Sequence, residues 1–254
     1  MKWSRLRCLG VVLFSLLLMG GPSTRSADAS WDPLKNDKKP RVIIIFVDMS
    51  GSTNLARQTV YRECFEKIYE NLSQGDRIVV GTITGRSFIE FKPVVDVVIP
   101  EKSVWVNRIQ FERSVTETKA KIRQEVENLL SRKKGTPRTE ILNSLNIAET
   151  IFHDEKREKI LVILSDMIQD SREYNFSKTT ITDEYINRVI RYRQTQNLLP
   201  NLTGVKIYVA GASGKDSHKF RSIEKFWARY FEKAGAEYSH HRYGHSLIVF
   251  EKGS

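Results

Sequence analysis

Residues 41–47 read Arg-Val-Ile-Ile-Ile-Phe-Val, a run of large side chains with no alternation of polar and apolar positions. A strand with one wet face alternates, because successive side chains point to opposite faces. A run apolar at nearly every position is the pattern of a strand covered on both sides, as in the middle of a parallel sheet. Residues 77–84, 159–164 and 205–210 repeat this pattern. Between these runs, apolar residues recur at helical spacing: Tyr61, Cys64, Phe65, Ile68 and Leu72; Val115, Ile122, Val126 and Leu129; Ile141, Leu142, Leu145, Ala148 and Ile151. Thr182 is placed to cap a helix over residues 183–196, and Phe220, Ile223, Phe226, Trp227, Tyr230 and Phe231 mark another ending near Gly235. Strands alternating with helices call for an α/β fold: a doubly wound, Rossmann-like, mostly parallel sheet with helices on both faces. Residues 88–99 alternate less cleanly around Pro93, which suits one antiparallel edge strand, joined to its neighbour as a hairpin through Gly85-Arg86. Residues 246–250 supply the last strand.

The chain has 254 residues, enough for one substantial core. Lys2, Arg5 and Arg7 precede an apolar run over residues 8–19, followed by Gly20, Gly21, Pro22 and Ser23, the layout of a secretory signal. Roughly twenty residues are needed to span a bilayer, so this stretch is short for a stable transmembrane anchor. Ala27-Asp28-Ala29 offers the small-x-small pattern of a cleavage site. The expected organisation is a signal peptide at 1–29, a polar linker at 30–40 and one domain at 41–254, exported to a periplasm, a cell surface or the medium. Cleavage would remove four basic residues and one acidic residue, lowering the formal charge from +11 to +8, and would leave Cys64 as the lone cysteine. A domain with one cysteine has no internal disulfide and stands on its hydrophobic core. Cys64 lies on the apolar face of its helix, where a buried, inert thiol is expected.

Directly after the first strand stands Asp48-Met49-Ser50-Gly51-Ser52. In doubly wound sheets, ligands bind outside the carboxyl ends of the strands, where neighbouring connections diverge. Leu164-Ser165-Asp166 brings a second carboxylate to the end of a later strand, and the turn Gly135-Thr136-Pro137-Arg138-Thr139 precedes the helix before it. The bland reading is that Ser50 and Ser52 cap the first helix while Asp48 accepts backbone hydrogen bonds in a turn.

The pattern resembles the von Willebrand factor type A family, whose metal-ion-dependent adhesion site combines Asp-x-Ser-x-Ser with a distant threonine and a distant aspartate. The resemblance runs from about residue 41 to 250, in element order as well as in motif. It implies Asp48, Ser50, Ser52, Thr139 and Asp166 as metal-site residues, with Thr136 as the alternative threonine. Hydroxyl and carboxylate oxygens are hard ligands that suit Mg²⁺ first, with Mn²⁺ and Ca²⁺ as alternatives, and no Cys/His spacing points to zinc. The three hydroxyls are neutral and the resemblance implies that one or both aspartates act through bound water, which would leave the ion electrophilic, so a partner's carboxylate could complete its shell. The implied function is protein or ligand recognition through an acidic group, with no catalysis.

Two other classes compete: a metal-dependent hydrolase, and a salt-dependent binder of anionic polymers. Ser50 lacks the Gly-x-Ser-x-Gly elbow of a nucleophile. The basic residues are mostly interleaved with acids, as in Lys119, Lys121 and Arg123 beside Glu125 and Glu127, which reads as a solvated face rather than a specific nucleic-acid surface. Arg132-Lys133-Lys134 differs, because it precedes the Thr139 turn and would raise the potential at the metal rim. His240, His241 and His245 lack a third ligand at recognisable spacing. The Gly-containing segment 211–218 reads as a surface loop, and Trp105 and Phe111 read first as core cover and second as specificity residues.

Overall fold

The computed structural model describes residues 39–50, 55–103, 105–132, 137–213, 216–247 and 250. The expected signal peptide, nearly all of the linker, Ser52, Thr136, Lys133, Lys134 and part of the expected last strand lie outside them. The described residues belong to the unit that begins at Asp37.

The elements run β1 (Arg41–Asp48), α1 (Leu55–Glu70), β2 (Arg77–Ile83), α2 (Ser87–Glu90), β3 (Val95–Val98), α3 (Arg108–Leu130), α4 (Ile141–Phe152), β4 (Glu158–Leu164), α5 (Asp183–Thr195), β5 (Val205–Ala210), α6 (Ser217–Lys233) and β6 (Tyr243–Gly244). The strand order is β3-β2-β1-β4-β5-β6, parallel throughout except for β3, which pairs antiparallel with β2. This is a doubly wound sheet, as the buried strand runs predict.

The lack of alternation in β1 has a direct structural counterpart. Val42, Ile44 and Phe46 face one core with Leu142 and Leu145 of α4, Ile186 and Val189 of α5, and Phe226 and Trp227 of α6. Ile43, Ile45 and Val47 face the other, with Tyr61, Phe65 and Ile68 of α1 and Ile122 and Val126 of α3. Helices thus cover both faces, and every residue of β1 is buried. Thr182 caps α5 by accepting from the Tyr185 amide at 3.2 Å, and Gly235 takes φ +79° just beyond α6. Among the described residues no helix is long and apolar enough to cross a membrane.

The structure corrects three sequence expectations. Residues 84–94 do not make a tight hairpin: the Ser87 hydroxyl accepts from the Thr84 amide and donates to its carbonyl, both at 2.9 Å, and a helical turn follows. That turn sends Phe91 back over Gly81 and edge-on to Phe46, with ring centroids 5.7 Å apart, so only Val95–Val98 is left to pair as the edge. Among the described residues the last strand is Tyr243–Gly244 beside β5, earlier than expected, and Ser246, Leu247 and Phe250 are not in a strand. Phe111 is buried as expected, but Trp105 is 93% exposed and covers no core.

Arg41 opens β1 and is buried with Asp76, which precedes β2. One Asp76 oxygen accepts from the Arg41 amide at 2.8 Å, and the guanidinium contacts both carboxylate oxygens and the Asn71 carbonyl. This pair sets where β1 and β2 start relative to each other. Removing one partner of such a pair strands a buried charge, at a cost of about 3–5 kcal/mol. Asp76→Ala should therefore lower the unfolding free energy by about that amount in urea titrations, whereas an exposed ion-pair change such as Glu112→Ala should cost less than about 1 kcal/mol.

Candidate metal centre

The sheet order changes direction at β1: β2 and β3 lie to one side, β4, β5 and β6 to the other. The crevice above the carboxyl ends of β1 and β4 is where a doubly wound sheet binds ligands. Asp48 is the last residue of β1, and Ser165 and Asp166 follow β4. All three are buried, as are Ser50 and Thr139.

Asp48 is held from two directions. One carboxylate oxygen accepts from the Ser50 amide at 2.9 Å, and the other accepts from the Ser165 hydroxyl at 2.7 Å. The Ser165 oxygen also accepts from the Met167 amide at 3.0 Å. Met167 adopts φ +63°, rare for a residue with a side chain, and its carbonyl accepts from the Trp227 indole at 2.8 Å. Strain of this kind persists only where the surroundings enforce it, and here the core tryptophan of α6 and the Ser165 hydroxyl hold the turn. Asp166 accepts from the Ile168 amide at 2.9 Å and pairs with Arg57 at 3.0 Å.

Thr139 reaches this edge through backbone pairing. Its amide and carbonyl bond those of Asp170 at 2.9 Å each, and the next amide, Glu140, donates to Thr84 at the end of β2 at 3.0 Å. The Thr139 turn is therefore tied to the loop that carries Asp166. Of the five expected ligands, Asp48, Ser50, Thr139 and Asp166 come to the carboxyl edge of the sheet, and Ser52 lies outside the described residues. The three C-terminal histidines do not assemble a site: His240 pairs with Glu224 at 2.9 Å, and among the described residues no three His, Cys, Asp or Glu side chains cluster around a metal position. A site made chiefly of hydroxyls and two carboxylates would not form such a cluster.

Burial is the main reason the Asp48 carboxyl is pushed up from its usual 3.8 to about 6; the neighbouring Asp166 charge adds to the effect, and the Ser165 and Ser50 hydrogen bonds oppose it. Two buried acids acting on each other favour a cation between or beside them. The Tyr61 hydroxyl gives a second sign of an incomplete polar site. It is buried without a hydrogen-bond partner among the described residues, and burial, then the Asp48 charge, push its ionisation far above the tyrosine range. Its ring passes so close to Gly211, at φ +91°, that a Cβ there would lie 2.7 Å from Tyr61 Cε1. These residues fit a hard divalent ion: oxygen donors, an excess of negative charge, and an orphaned hydroxyl in the field of both aspartates.

Sequence reasoning missed Ser165, Arg57 and Tyr61. Ser165 was signalled by its place beside Asp166. Arg57 and Tyr61 carry no local mark, because an arginine on a helix ordinarily faces water and a tyrosine at helical spacing ordinarily packs. A groove of about 990 Å³ adjoins the Thr139 turn, lined in part by Arg86, Phe88, Arg138 and Glu140. Phe88 and Ile89 on its rim are 65% and 75% exposed.

The raised Asp48 carboxyl gives the metal-free protein a pH signature. The native carboxyl keeps its proton to higher pH than the unfolded one does, so stability is lost as pH rises from about 4 to about 6. At 1.36 kcal/mol per unit, the loss due to Asp48 is about 3 kcal/mol. In chelator, Asp48→Asn should match the parent chain near pH 4 and exceed its unfolding free energy at pH 7. Parallel pH profiles for the two chains would contradict this origin.

No protein-family profile matches the chain, and no curated protein matches it. Among solved structures it is similar to the manganese-loaded TRAP protein of Plasmodium vivax, at 15% identity and TM-score 0.47, over 82% of this chain and 68% of that one. It is also similar to the pilus adhesin SpaC of Lactobacillus rhamnosus GG, at 11% identity and TM-score 0.46, over 81% of this chain and 28% of that one. A third is a von Willebrand factor type A protein of Catenulispora acidiphila, at 14% identity and TM-score 0.38, over 78% of this chain and 42% of that one. The chain thus spans less than half of the second and third proteins. The described domain is a doubly wound, mostly parallel α/β sheet with an antiparallel third strand and helices on both faces.

Proposed function

We propose that this is an exported binding module that holds a divalent cation, Mg²⁺ first, with Asp48, Ser50, Ser52, Thr139 and Asp166, and uses it to capture a partner's carboxylate. The observation that carries the reading is the meeting of two buried carboxylates from β1 and β4 at the point where the sheet order reverses, with Thr139 tied to the same edge. The bound ion would supply an electrophilic centre for an acidic group. The chain's own residues orient that centre: Ser165 and the Ser50 amide fix the Asp48 carboxylate, and the Asp170 pairing fixes Thr139. The adjoining groove carries exposed Phe88 and Ile89 on its rim beside both arginines and glutamates, among them Arg138 and Glu140, which supports a partner surface that is partly apolar and of mixed charge. Export rests on the basic, apolar, then small-residue order of residues 1–29.

Titration calorimetry with Mg²⁺ or Mn²⁺ tests the site. Asp48→Ala should abolish measurable uptake while circular dichroism stays native. Ser165→Ala removes a hydroxyl that orients a ligand and helps hold the Met167 turn, and should weaken uptake about 10- to 100-fold, the usual effect of such an outer partner. Equal affinity in the parent chain and Asp48→Ala would overturn the reading. Turnover of a generic ester or phosphoester, lost on chelation, would favour a hydrolase. Partner capture that survives chelation but fails in salt would favour an anionic-polymer binder.

A further inference from the structure

Arg57 is the third residue of α1, in the first turn of that helix. A cation is unwelcome there, because the exposed amides at a helix N-terminus carry partial positive charge. Yet the side chain is drawn inward rather than into solvent. One guanidinium nitrogen lies 3.0 Å from Asp166 Oδ2, the other donates to Ser213 Oγ at 3.1 Å, and the Arg57 and Asp166 side chains are only 15% and 4% exposed. Most of the other ion pairs lie on the surface, such as Arg108 with Glu112 and Arg113 with Glu117. The Tyr61 hydroxyl is subject to the Arg57 charge together with those of Asp48 and Asp166, so all three act on one buried crevice.

We infer that Arg57 is a built-in competitor for the metal: its guanidinium neutralises Asp166 in the metal-free protein and must give up that contact for a divalent ion to bind. The inference rests on the metal-site reading above. Two cations cannot share one buried carboxylate edge without strong repulsion, since the attraction and repulsion of charges both grow as water is excluded. Metal uptake is then an exchange of one internal cation for one external cation, and the affinity of the site is set by Arg57 and its Ser213 tether as well as by the ligands. Arg57 here is a residue that tunes the site, not a ligand.

The test is Mn²⁺ binding to the chelator-stripped full chain, read by the loss of the free-ion paramagnetic resonance signal. Arg57→Gln should bind Mn²⁺ on the order of tenfold more tightly than the parent. Arg57→Lys, which keeps the charge, should stay close to the parent. Ser213→Ala, which only loosens the guanidinium, should tighten Mn²⁺ binding by about two- to threefold. In melting experiments, Arg57→Gln should be less stable than the parent in chelator and should gain more stability on adding Mn²⁺. Unchanged or weaker Mn²⁺ binding by folded Arg57→Gln would overturn the inference while leaving the metal site standing. Should that variant fail to fold, unchanged binding by Ser213→Ala would overturn it equally. No Mn²⁺ uptake by the parent or any variant would overturn the metal-site reading and this inference together.

Discussion

Burial of β1 on both faces is the constraint on which the rest of the structure depends. With alternate side chains committed to two separate cores, the strand has no wet face, so its neighbours must be strands and its covers must be helices. Polar chemistry can then emerge only at the strand's end. Asp48 sits at that end, still buried, and the order reversal at β1 opens the crevice in front of it. The fold and the site are therefore consequences of the same apolar run.

The crevice concentrates charge that the core would otherwise exclude. Asp48 and Asp166 approach each other inside the protein, and desolvation with mutual repulsion makes Asp48 reluctant to ionise. Local order is imposed around them: a left-handed Met167 pinned by Trp227, a glycine at position 211 that lets Tyr61 pass, and an arginine turned inward from a helix start. Strain and buried polarity of this kind oppose folding. They collect where a ligand would compensate them.

The departures from the sequence reading have local physical causes. The segment after β2 carries apolar residues and a proline, which reads as an edge strand, but Ser87 turns the backbone into a helical loop and Phe91 finds a slot over Gly81 against Phe46. Side-chain packing across the sheet outweighed strand propensity there, as is common for short edge segments. Trp105 similarly reads as core by its size alone, yet it stands almost fully exposed.

The amino-acid sequence by itself determined the two-sided burial of the central strands and the alternation of helices, and it nominated Asp48, Ser50, Ser52, Thr139 and Asp166, because periodicity, a short motif and a family resemblance can all be read along a chain. Tertiary structure alone decided that Asp170 ties the Thr139 turn to the Asp166 loop, that Ser165 holds Asp48 across 117 positions, and that Arg57 turns onto Asp166 instead of into water. Those contacts join segments far apart in sequence. Which charge a side chain meets at such a junction depends on where distant strands end, and no local pattern records that.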